Sequence, residues 1–352
     1  MVKLAALVVA VALLALLDPA ATVVEFAKED LESDDSLWKL YELWGARHKV
    51  ARHPGEKLRR FAIFKEQARR VYDLHIEFAG DTPLGLNIFA DLSDDEVRRD
   101  YRCAKGGAGN GRKKRSFINV KRRAGDGTLP LPVAFDWRSK TCYGHPCLTP
   151  VKDQAYNCGA CWAFAATAAM ESHHAILKNG SLLRLSEQEL VDCDTKNGAC
   201  AGGLAAIAFQ YVVKWGLTSS AAYPYTARNG TCKSSATFPV LGMTGFARVP
   251  AYDEFELLQA VTYGPVVVSI DANNTEFDRY AGGLYPSVKC GRTPDHEMLL
   301  VGYGPNYYIL RNSYGENWGD KGHMLLPRNF DLHDVFGPCG ILLDGATYPE
   351  IA

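Results

Sequence analysis

Apolar residues recur at helical spacing twice in the first quarter of the chain. Leu37, Leu40, Tyr41 and Trp44 form one stripe and predict a helix from Ser33 to Val50. Pro54 and Gly55 interrupt it. Phe61, Phe64, Ala68, Val71 and Leu74 form a second stripe and predict a longer helix from Glu56 to about Phe78. Residues Gly85 to Asp91 then alternate like a short strand. Ser93, followed by Asp94, Asp95 and Glu96, reads as the cap of another short helix. From Trp162 to Leu177 an Ala-rich run without a breaker suits a helix buried on most sides. Pro265 to Ile270 and the alternation around 298–310 predict strands in the second half.

With 352 residues the chain can bury a full core and more than one. A formal net charge of -1 gives no global sign of a nucleic-acid partner. The charge is unevenly placed: 23 Lys and Arg face 19 Asp and Glu in residues 1–128, against 16 and 21 from 129 onward. A basic front and an acidic remainder attract each other, although opposite charge alone is weak ground for docking. Between Cys103 and Thr128, Gly, Lys and Arg dominate, including Arg112 to Arg115 and Lys121 to Arg123. This reads as an exposed linker and, behind a leader, as a proteolytic processing site.

Lys3 is followed by an apolar run of about 14 residues, the length of a signal-peptide core and short for a membrane span. Small residues at Ala20 and Ala21 place the end of the leader near residue 21. No later segment approaches membrane-spanning length, so no membrane anchor is expected. A secreted chain with ten cysteines should pair most of them. Asn179, Asn229 and Asn273 open N-x-S/T acceptor triplets that suit the same compartment.

The chemistry gathers at Gln154 to Phe164, QAYNCGACWAF. Cys161 stands at the start of the Ala-rich helix, where unpaired N–H groups and the macrodipole favour a thiolate nucleophile. Gln154, seven residues upstream, could donate to an oxyanion. The same C-x-x-C also reads as a Cys158–Cys161 redox couple or as half a zinc site, and the stretch alone leaves these readings open.

Three motifs in order reach further. Cys158-Gly-Ala-Cys161-Trp162 fits the signature C-G-[SA]-C-[WY]. Asp295-His296 opens a run ending at Gly304, with His296 135 residues after Cys161. Arg311-Asn312-Ser313-Tyr314 opens a run that continues through Trp318 to Gly322. On these residues the chain resembles the papain-like, cathepsin L-type cysteine peptidases. The front half resembles their propeptide: Glu56, Arg60, Phe64, Gln67, Val71 and His75 fall on the ERFNIN spacing, with both Asn positions altered. Gly85, Asn87, Phe89 and Asp91 complete the second propeptide pattern.

The resemblance implies an α+β, papain-like fold of two subdomains, a helical left one and a β-barrel-like right one, preceded by a helical inhibitory propeptide. Its divisions would be a signal peptide at 1–21, the propeptide at 22–102, a linker at 103–128 and the peptidase domain at 129–352. It implies Cys161 as nucleophile, His296 as proton carrier, Asn312 as the residue holding the imidazole and Gln154 as oxyanion donor. Gly202 and Gly203 would form a wall along which substrate lies extended, with Trp318 and Asp344 also at the substrate. Bridges would join Cys158 to Cys200, Cys193 to Cys232 and Cys290 to Cys339. Cys142 and Cys147 remain and are expected to form a fourth, local bridge, with Cys161 free and Cys103 the odd one. No metal or organic cofactor is implied. Expected partners are peptide or protein substrates, the chain's own propeptide and cystatin-like inhibitors, for a monomer in a lysosome or outside the cell.

Several positions depart from the pattern. The loop Ala155-Tyr156-Asn157 is one residue longer than usual. Tyr314 replaces the tryptophan that usually shields the Asn–His bond, and Glu297 follows the histidine where small apolar residues are usual. Either Asp344 or Gly345 falls at the base of the adjoining pocket, and a solvated rim position suits Asp344 and Glu297 equally well. Residues 193–203 have no room for the insertion of carboxydipeptidase relatives, nor is there an aminopeptidase-type segment, so endopeptidase activity is expected. The alternative is a weakened homologue that binds peptides or inhibitors, motivated by Tyr314, Glu297 and Ala201.

Overall fold

The Ser33 hydroxyl accepts the Ser36 N–H and starts helix α1, Asp34–His48. Helix α2, Pro54–Glu77, begins on the proline expected to lie in a break between helices. In the first turn proline's missing N–H costs nothing, because that group would lack an intrahelical acceptor anyway. Ser93 caps α3, Asp94–Tyr101, in a reciprocal box with Glu96. The computed structural model describes residues 23–77, 84–102, 130–178, 182–233, 238–286, 290–328 and 334–351. The expected leader, the 103–128 linker, Cys103 and Asn179 lie outside them.

Gly85 to Asp91 is not a strand. It makes only single bridges, Leu86 to Val24 and Leu84 to Tyr280, and then turns. Leu84, Leu86, Asn87, Phe89, Ala90 and Asp91 are all buried, because the segment is wedged between two bodies and has no solvent face. On one side Leu37, Trp44, Phe64, Ala68 and Val71 of α1 and α2 form a separate small core. Two charge contacts brace that lobe: Arg60 to Glu96 at 2.7 Å, and a forked Arg52 to Asp91 pair at 2.8 and 2.7 Å.

The larger body is built on α4, Cys161–Leu177, whose residues from Cys161 to His173 are all buried. Helices α5, Glu187–Cys193, and α6, Ala205–Trp215, pack beside it. Its sheet is antiparallel. The strands are β1, Phe135–Asp136, β4, Met243–Arg248, β5, Val266–Ile270, β6, His296–Tyr303, β7, Tyr307–Arg311, β8, His323–Pro327, and β9, Thr347–Ile351. The order is β4-β9-β5-β6-β7-β8, with β1 on β6. A small hairpin of β2, Thr141–Cys142, and β3, His145–Pro146, stands apart. Helix α7, Glu254–Tyr263, precedes β5, and the short α8, Thr275–Asp278, follows it.

The barrel-like expectation is therefore corrected to an open sheet. β4 and β8 stand at its two ends and do not pair with each other, and α6 covers β4 instead. The alternation around 298–310 is likewise two strands, folded at Gly304 where its N–H meets the Tyr307 carbonyl. No helix among the described residues is long and apolar enough to cross a membrane.

The N-terminal lobe is pinned to α8 and the residues after it. The Asn87 amide donates to the Asp278 carbonyl at 2.8 Å, and Gly85 N–H to the Arg279 carbonyl at 3.0 Å. The fully buried Arg279 donates to Gln67 at 3.1 Å and to the Leu92 carbonyl at 2.9 Å. Arg102 pairs with Asp278 at 2.5 Å.

Burial pushes the Glu96 carboxyl up, but the Ser93 N–H, Arg60 and Arg59 outweigh it and hold it below its ordinary 4.5. A depressed carboxylate adds stability above its unfolded value and loses it as pH falls through the folded one. Hydrogen-exchange protection of α1 and α2 is therefore expected to fall as pH drops below 4.5. In Glu96→Gln that protection should already be weaker at neutral pH, by about 2 kcal/mol, because the buried Arg60 guanidinium keeps only Glu56 as a charged partner. Equal protection in variant and wild type would refute the role of this pair.

Candidate active site

Cys161 is the first residue of α4, and no side chain caps that end of the helix. It meets the first residues of β6, where the Glu297 N–H points at the Cys161 sulfur from 3.4 Å. Ala163, Ala166 and Ala169 are wholly buried, and their small side chains let the helix approach the sheet closely. His296, one residue before Glu297, is also buried. Its Nε2 lies 2.8 Å from Asn312 Oδ1. That same oxygen accepts the Ser313 N–H at 2.8 Å, which fixes the amide's orientation and makes Nε2–H the donor. Burial lowers the His296 pKa to about 4, with the Asn312 bond opposing and Arg102 reinforcing. The imidazole is neutral in this form.

Gln154 is fully buried. Its amide nitrogen donates to the Tyr101 carbonyl at 2.7 Å and to the Cys158 carbonyl at 2.8 Å, and its oxygen accepts from the Ser313 hydroxyl at 2.6 Å. The longer loop beside it closes by putting Ala155 and Asn157 at φ 57 and 71, in the left-handed region. Ser313 was not singled out in the sequence, although it stands inside the Asn312 motif. Its contact to Gln154 joins residues 159 positions apart, which no local signal reveals.

The sequence-derived residues divide in the structure. Cys158 is bonded to Cys200, Cys193 to Cys232, Cys290 to Cys339 and Cys142 to Cys147. Cys158 is therefore neither a redox partner of Cys161 nor a zinc ligand, and no group of metal-binding side chains occurs among the described residues. The expectation of a free Cys161 is corrected: Cys161 is itself disulfide-bonded, and no described cysteine is a free thiol.

Gly202 has φ 111, a conformation that glycine adopts readily, and a Cβ at Gly203 would meet Asn197 at 2.5 Å. Trp318, expected at the substrate, is instead wholly buried, packed against Phe277, Tyr280 and Tyr314. Asp344 is exposed. Glu297 is not at a solvated rim: its carboxyl is buried and accepts the Ala205 N–H at 2.8 Å. Burial pushes it up to about 8, the Ala205 N–H opposing and Asp344 adding to the rise. Asn229 and Asn273 are exposed, and the Asn273 oxygen accepts from Arg98 at 2.8 Å and Arg102 at 2.9 Å.

Two further features had no signal in the sequence. The Tyr101 carbonyl of the N-terminal lobe sits on the Gln154 amide, and Arg102 follows it into a buried pair with Asp278. Burial raises the Asp278 pKa to about 6, against the pull of Arg102 and Arg279.

The chain is similar to known proteins over most of its length. The sequence profile of the papain family of cysteine proteases matches residues 131–347, and that of the cathepsin propeptide inhibitor domain (I29) matches 41–97. The chain is 39% identical to vignain of Ricinus communis over 341 residues, covering 92% of this chain and 89% of vignain. It is 34% identical to papain of Carica papaya over 330 residues, covering 93% and 91%. Among solved structures, the proform of the ragweed pollen cysteine protease Amb a 11 superposes with a TM-score of 0.79 at 32% identity, covering 94% of this chain and 98% of that one.

Because Cys161 is held in a disulfide, iodoacetamide should leave it unmodified in the untreated protein and modify it after mild reduction. Peptide mass spectrometry reads both states, and labelling without reductant would contradict the structure.

Proposed function

The chain belongs to the papain family of cysteine proteases and carries a cathepsin-type propeptide inhibitor domain, and we propose that Cys161, His296, Asn312 and Gln154 are its catalytic set. The reaction is endopeptidase hydrolysis from a self-inhibited zymogen. The supporting observation is the Tyr101 carbonyl held by the Gln154 amide beside the start of the Cys161 helix. A peptide carbonyl of the propeptide already occupies the donor that a scissile carbonyl would need.

Release of the propeptide and reduction of the Cys161 disulfide by an external thiol, itself oxidised to a disulfide, precede turnover. The Cys161 thiol then gives its proton to His296 Nδ1, and the thiolate attacks the substrate carbonyl carbon. Negative charge on the carbonyl oxygen is met by the Gln154 amide and the Cys161 N–H. The His296 imidazolium protonates the departing amine, leaving a thioester on Cys161. His296 next takes a proton from water as its oxygen attacks the thioester, and the collapsing adduct expels the thiolate. Asn312 keeps Nε2–H engaged, so that Nδ1 is the nitrogen that exchanges the proton.

In the proposed organisation a leader at 1–21 directs the chain into the secretory pathway, towards a lysosome or the outside. The propeptide is 22–102, the linker 103–128 and the peptidase domain 129–352. Substrate runs along Gly202 and Gly203 with Asp344 at the pocket edge, cystatin-like proteins inhibit the mature monomer, and Asn179, Asn229 and Asn273 are the glycan acceptors.

Acid incubation with a thiol should trim the chain within 103–130 and release activity on peptide substrates. Cys161→Ala should lose at least about 1,000-fold in kcat/KM. Gln154→Ala should lose about 100-fold, mostly in kcat. If wild-type protein treated this way neither cleaves peptides nor accepts a thiol-reactive epoxide on Cys161, the proposal is wrong and the weakened-homologue reading replaces it.

A further inference from the structure

Tyr314 is wholly buried two residues after Asn312, with its ring 5.1 Å from that of His296. Its hydroxyl is 3.5 Å from His296 Nδ1 and 3.4 Å from the Tyr101 carbonyl oxygen. Asn312 Oδ1 can only accept, so the hydrogen it receives from His296 is on Nε2. In the neutral imidazole, Nδ1 then carries the lone pair. A carbonyl oxygen also only accepts. The single Tyr314 hydroxyl hydrogen therefore faces two acceptors, each at the outer limit of hydrogen-bond distance.

We propose that Tyr314 is a positioning residue whose hydroxyl caps His296 Nδ1 and holds the catalytic base neutral. In the zymogen the Tyr101 carbonyl takes part of that hydrogen. When the propeptide leaves, Tyr101 goes with it and Nδ1 remains the acceptor on the same site. A donor at Nδ1 stabilises the neutral ring over the imidazolium and occupies the lone pair that must receive the Cys161 proton. The thiolate–imidazolium pair is thereby confined to a narrower pH range on its alkaline side, where the imidazolium loses its proton.

Other groups lie near this pair. Asp295, just before β6, and Asp278 of α8 act on Tyr314. On β6 the Glu297 carboxyl is engaged by the Ala205 N–H, and from α4 comes Cys161. Arg102 lowers His296 in the zymogen and leaves with the propeptide. None of these changes when the Tyr314 hydroxyl alone is removed. In the full chain burial holds that hydroxyl well above its ordinary 10, and even an ordinary tyrosine stays a protonated donor below about pH 10.

The inference rests on Cys161 and His296 being the catalytic pair. It is tested on enzyme processed from the full chain and kept reduced, with kcat/KM measured from pH 4 to 10 for wild type, Tyr314→Phe and Tyr314→Trp. Iodoacetamide alkylation of Cys161 over the same range reads thiolate formation without substrate. Both variants should move the alkaline limb upward by about 0.7 pH unit, the equivalent of one ordinary hydrogen bond. Well up that limb they should gain about fivefold in kcat/KM over wild type. The acid limb should stay in place. An alkaline limb that stays or falls in either variant, whatever happens to the maximal rate, overturns the proposal and leaves Tyr314 a packing residue. Wild-type enzyme with no Cys161-dependent turnover would instead remove the catalytic pair on which the inference stands.

Discussion

The contact on which the structure depends is the butt joint between the start of α4 and the start of β6. A helix buried over most of its length has no solvent face, so its position is set by the surfaces around it. Alanines at 163, 166 and 169 let those surfaces come close, and the helix ends with Cys161 beside the His296–Glu297 step of the strand. Any change that moves the helix along its axis separates the sulfur from the strand. Lys152 stiffens the segment leading into this joint by reaching Glu171 at 2.6 Å and Glu187 at 2.5 Å. That cluster is buried, and its worth lies in fixing geometry more than in net stability.

In the proposed mechanism the N-terminal lobe inhibits by occupying the parts that chemistry would use. The Tyr101 carbonyl sits on the Gln154 amide, the Phe89 and Tyr101 rings stack edge-on against Tyr314, and Arg102 fills a buried pair with Asp278. The His296 imidazole is neutral and Cys161 is held in a disulfide, so in that mechanism inhibition is both steric and chemical. The lobe carrying these contacts has its own small core and two charge pairs, so it can loosen without unfolding the larger body.

Much of this was legible in the residues. The stripes of α1 and α2, the Ser93 cap and the buried run of α4 follow from periodicity and local hydrogen bonding, which act over one turn of helix. Three bridges follow the pairing that the family resemblance implies, and the fourth joins Cys142 to Cys147, the pair that resemblance left over. Gly85 to Asp91 alternated like a strand but became a wedge, because alternation reports two faces and not what covers them.

By itself the sequence determined the helices, the order of the motifs and which residue types stand at Cys161, His296, Asn312 and Gln154. Those are properties of neighbours in the chain, or of motifs whose chemistry requires particular side chains. Only the tertiary structure decided that the sheet stays open and that Trp318 is sealed inside. It also decided that Glu297 turns to Ala205, that the Cys161 thiol is not free, and that the Tyr314 hydroxyl lies between His296 and Tyr101. Each depends on burial and on contacts between distant segments, and such contacts leave no periodic trace in the chain.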